Sequence, residues 1–91
     1  MPRGLISELE QAAADVHNLS SVEVSRVLDR AIDMVRELRK QAPGDPIGQG
    51  TIIVLRTASA GAARLSEEET GHVLLDAAEA IRVLLANRKA H

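Results

Sequence analysis

The 91-residue chain contains no cysteine, phenylalanine, tyrosine or tryptophan. Without cysteine there is no disulfide framework, no thiolate ligand for zinc, no thiol nucleophile and no thiol redox switch. Without aromatic rings the chain lacks the stacking platforms on which single-stranded nucleic acid is usually held, and the cages that take quaternary ammonium groups. No apolar run reaches the 18 residues that mark a membrane span. The first residues, Met-Pro-Arg-Gly-Leu-Ile-Ser-Glu, form no signal-peptide apolar region. The expected location is the cytoplasm, with no membrane partner.

What the chain does have is aliphatic. Ala, Val, Ile, Leu and Met supply the whole 45% hydrophobic content, against 26% charged residues and a formal net charge of -2. That balance suits one globular domain over residues 1–91.

Sliding the sequence against itself by 46 residues brings Ile6, Leu9, Ala12 and Ala14 onto Ile52, Leu55, Ala58 and Ala60. Leu19, Ser20 and Glu23 fall on Leu65, Ser66 and Glu69, and the match continues to Leu38 on Leu84, with 12 identities in the 33 positions from 6 to 38. A period of this length suggests one supersecondary unit used twice. Within it, Leu-Ser-Ser-Val-Glu at 19–23 and Leu-Ser-Glu-Glu-Glu at 65–69 each read as a helix start. The serine hydroxyl can accept from the backbone N–H three residues on, while the glutamate reaches back to the serine N–H. Leu19 can also staple onto Val24, whereas Leu65 faces Thr70, a weaker partner.

Apolar residues at spacings of three and four predict helices over 4–17, 20–40 and 66–88. Basic residues follow at the ends of the two long helices, where they complement the helix dipole. Thr51–Leu55 is rich in β-branched residues and would read as a strand in isolation. A lone strand has no partner for its backbone groups, so residues 50–63 are read as helix. Residues 41–50, with two prolines and three glycines, are read as a linker. The expected fold is all-α, a four-helix bundle of two repeated helical hairpins, at about 4–40 and 50–89.

Short helices of about 21 Å beside long ones of about 31 Å leave the long ones overhanging. The last helix is apolar on more than one face, so Ile81, Leu84 and Leu85 would stand exposed without a partner. The expected interface is therefore Leu74, Leu75, Ala78, Ile81, Leu84 and Leu85, with Val35 and Leu38. It would serve a homodimer or another helical protein, and Leu84→Glu would separate it. This favours a non-catalytic interaction module, an adaptor or small regulatory subunit, requiring no cofactor.

Two other readings attach to named residues. Arg36, Arg39 and Lys40 could contact the phosphates of a nucleic acid, although the first 45 residues carry six cations against eight anions. Glu69, His72, Asp76 and Glu79 share a helix face and include Glu-x-x-His, half of a di-iron motif. They could hold a metal or perform acid/base chemistry. The solvated strip of an amphipathic helix explains the same spacing, with Glu69 in its cap and Glu79 paired to Arg82.

Overall fold

The computed structural model describes residues 2–41 and 46–89. Over these the chain forms four α-helices: α1 (Pro2–Ala14), α2 (Ser21–Gln41), α3 (Pro46–Ala60) and α4 (Glu67–Lys89). Short 3-10 turns at Val16–Asn18 and Ala62–Arg64 follow α1 and α3. No strand occurs among the described residues, and Thr51–Leu55 lies within α3. None of the helices is long and apolar enough to cross a membrane, among the described residues.

Both long helices start where the serines predict. Ser20 Oγ accepts from the Glu23 N–H at 3.2 Å and Glu23 Oε1 accepts from the Ser20 N–H at 3.2 Å. Ser66 and Glu69 repeat the arrangement at 3.1 and 3.0 Å. Two backbone donors that the helix cannot satisfy internally are thus bonded at each end. Thr70, at the weaker staple position, is buried and donates its hydroxyl to the Ser66 carbonyl at 2.8 Å. Burial of that threonine therefore leaves no donor unbonded.

The chain enters each cap through the same backbone shape. Asp15 (φ -115°, ψ 27°) and Gly61 (φ -104°, ψ 19°) precede the two 3-10 turns, and extended Leu19 and Leu65 follow them. These turns replace the α-helical ends expected at 15–17 and 61–63. The linker expected at 41–50 is also corrected: Gln41 ends α2 and Pro46–Gly50 already belong to α3. Proline is tolerated in a first helical turn, where its missing N–H has no partner to lose. Residues 42–45 lie outside the described residues.

The pairing of helices differs from two side-by-side hairpins. α1 packs chiefly on α4, and α2 chiefly on α3, while α2 also packs on α4. By contrast, α1 lies lightly on α2, and α3 on α4. Among the described residues the eight largest fully buried side chains are Leu9 and Leu55, Leu28 and Leu74, Val35 and Ile81, and Leu38 and Leu84, four pairs each 46 residues apart. Ala31 and Ala77, also fully buried, lie on the long helices α2 and α4. Small side chains there let the two backbones approach closely.

Candidate interaction surface

The eight residues expected to form an interface lie mostly inside the single chain. Leu74, Ala78, Ile81, Leu84 and Val35 are fully buried and Leu38 nearly so; Leu85 is half-buried, and Leu75 alone is exposed, at 47%. The expected overhang is corrected by the pairing of the helices. α4 packs on α1, α2 and α3, and Leu5, Ile6 and Leu9 of α1 join its apolar side in one core. A helix that is apolar on several faces is satisfied here by three neighbours.

The acidic strip of α4 also resolves residue by residue. Glu69 is held in its cap, where the Ser66 backbone N–H, and then the Ser66 hydroxyl, keep its carboxyl below the usual carboxylate value. Glu79 accepts from Arg82 at 3.3 Å, and Arg82 also bonds Glu10 of α1. The Glu10 hydrogen bond, above all, raises the Arg82 pKa and secures its charge. His72 and Asp76 are exposed. Among the described residues no three His, Asp or Glu side chains come together to hold a metal ion, the face of Glu69, His72, Asp76 and Glu79 included. One helix face alone spreads these groups along its axis, and the nearby carboxylate of Glu10 on α1 is bonded to Arg82.

At the end of α2, Arg36 lies 4.0 Å from Asp33 and Lys40 3.6 Å from Glu37. Arg39 is half-buried and has no ion-pair partner among the described residues. Two of the three cations are thus already balanced by acids one turn back.

The outer side of α3 is different in character. Gly50, Ile53, Val54 and Thr57 follow helical spacing and are all exposed, Ile53 at 61% and Val54 at 53%. Among its described side chains α3 carries only one charge, Arg56, whereas α2 carries nine. Thr57 donates its hydroxyl to the Ile53 carbonyl at 2.9 Å, leaving the stripe without an unmatched polar donor at that point. The opposite side of α3 meets α2 closely. Ser25 Oγ donates to the Ser59 carbonyl at 2.8 Å, and Ser59 Oγ donates to Asp29 at 2.7 Å.

The exposed stripe was not among the residues singled out from sequence. A signal for it exists: with the 46-residue offset, Ile53 and Val54 stand where the first half has Ser7 and Glu8. Ser7 and Glu8 are also exposed, and Glu8 reaches Arg30 of α2 at 2.7 Å. The second half thus carries branched aliphatics at exposed positions where the first half is polar.

A scan against protein-family models gives no match, and searches of curated proteins and of solved structures return no similar chain. The structure defines the class: an all-α protein of four packed helices.

Proposed function

We propose that the protein is a non-catalytic helical interaction module, an adaptor or small regulatory subunit, whose contact face is the outer side of α3. The observation that carries this reading is the pair Ile53 and Val54, more than half exposed at mid-helix on an uncharged stripe. Such a ridge receives the apolar face of another helix, from a second copy of the chain or from another protein. A 15-residue helix is about 22 Å long, so its face covers less than the ~800 Å² per partner typical of stable interfaces. The expected complex is transient.

We also infer that the chain is one two-helix unit used twice, each unit a shorter helix, a 3-10 turn, a serine cap and a longer helix. The paired caps, paired turns and four pairs of core side chains support this. The two units serve different ends: both contribute to the core, and the second carries the exposed aliphatic stripe.

The test is a double substitution, Ile53→Glu with Val54→Lys, which leaves the core untouched because both side chains point to solvent. Circular dichroism and thermal midpoint are expected to stay near those of the parent, while self-association by light scattering of protein refolded at micromolar concentration, or binding to a helical partner, is lost. Unchanged association would overturn the α3 face. Refractive-index detection is needed, since a chain without Trp or Tyr absorbs little at 280 nm.

A further inference from the structure

The core is built almost wholly between the two halves of the chain. α1 belongs to the first half and packs on α4 of the second; α2 packs on α3 and also on α4. Three polar bridges do the same, while the Glu8–Arg30 pair stays within the first half. Ser25 to Ser59, Ser59 to Asp29 and Arg82 to Glu10 each join one half to the other. Within the first half the helices meet lightly, leaving between α1 and α2 an open groove of about 500 Å³ that the Glu8–Arg30 ion pair spans.

We propose that a second copy of this chain is a partner for these inner faces, taken up by exchange of halves. The α1–α2 half of one copy packs on the α3–α4 half of the other, and the reverse, giving two complete bundles from two chains. Every principal contact is an inter-half contact, so each can be made between chains as well as within one. Four residues, 42–45, separate Gln41 from Pro46, and theirs is the one covalent link between the halves. Exchange of identical elements is a low-cost route to a dimer where the closed and exchanged forms share the same interface. The choice between them is then one of concentration. A short link holds the halves at an effective concentration of millimolar order, so exchange gains as the chain concentration during folding approaches that range. Passing from one form to the other requires the halves to separate, which opens the whole core. The form is therefore set during folding and interconverts no faster than the whole core opens.

This proposal goes beyond the α3 contact face, and one experiment separates the two. Ser25 and Ser59 lie side by side across the seam between α2 and α3, and the chain has no native cysteine. The variant Ser25→Cys with Ser59→Cys is refolded from denaturant at concentrations from micromolar to millimolar, oxidised, and run on a non-reducing denaturing gel. In the closed form the disulfide is internal and the band runs at single mass; in the exchanged form it joins two chains. The expected result is a double-mass band that grows with refolding concentration and does not grow when the folded single-mass form is merely concentrated. Single-mass product alone at every refolding concentration would overturn the proposal. Dimers formed through the outer stripe of α3 give single-mass bands here, so the two associations are told apart. A second measurement stands free of thiol chemistry. The Ile53→Glu, Val54→Lys variant, refolded at millimolar concentration, is expected to contain species of two-chain mass by light scattering, and a one-chain mass throughout contradicts exchange.

Discussion

Ser66 and Glu69 show how much two short side chains settle. Each satisfies a backbone donor of the other at 3.0 to 3.1 Å, and together they fix where α4 begins. Ser66→Ala removes the acceptor for the Glu69 N–H and is expected to destabilise the fold by about 1 kcal/mol, measured by urea denaturation. The same pair makes stability depend on pH. The folded state lowers the Glu69 pKa, so the carboxylate form is favoured on folding. Its contribution is present above the unfolded glutamate value and is lost as pH falls through the lowered folded value. Glu69→Gln is therefore expected to flatten the acid limb of the stability curve, a change read by urea midpoints over a pH series. Equal acid sensitivity in the variant and the parent would contradict this assignment.

At the scale of the element, α3 sets tertiary context against local propensity. Its run Thr51–Leu55 favours an extended strand, yet Ile52 and Leu55, three apart, reach the core while Ile53 and Val54 face outward. That is the periodicity of a helix, and helical bonds satisfy backbone groups for which no neighbouring strand exists. Gly50 sits within this helix with nothing within 4 Å of where a Cβ would be. Gly50→Ala is expected to stabilise the protein by about 0.5–1 kcal/mol, because alanine loses less backbone freedom on folding. A raised thermal midpoint checks it; a lowered one would mean that the outer face of α3 is covered closely at Gly50. In α4 the same logic runs in reverse, since a helix apolar on several sides needs no external cover once three helices surround it.

For the whole molecule, the inter-half seam decides what a core substitution does. Leu84 is fully buried in one chain, so Leu84→Glu places a carboxylate among aliphatic groups and is expected to unfold the protein at every concentration. Helical circular dichroism read across a dilution series tests this; a folded monomer would restore the earlier reading of Leu84 as a dimer contact. The milder Leu84→Ala is expected to lower stability by about 2–5 kcal/mol through lost burial and a cavity. Surface ion pairs such as Glu8–Arg30, with both side chains about half exposed, contribute far less. Stability thus lies chiefly in the buried aliphatic core, most of whose helix–helix contacts join the two halves.

Local order was written in the sequence: the serine–glutamate caps and the helical spacing of Val24 to Leu38 and of Val73 to Leu84 are all short-range patterns. They suffice to determine that the chain is helical and where its long helices begin, because caps and periodicity act over three to seven residues. Which helix lies on which was decided only in three dimensions. The same apolar stripe on α1 can pack on α2 or on α4, and sequence spacing does not distinguish them. Closing the core around Leu28, Leu74, Ile81 and Leu84 favours the pairing of α1 with α4 and α2 with α3. That choice covers the ends expected to overhang, hides the leucines expected at an interface, and leaves Ile53 and Val54 facing solvent. The physical reason is that burial is a collective property of all four helices, whereas a cap or a helical period belongs to a single turn.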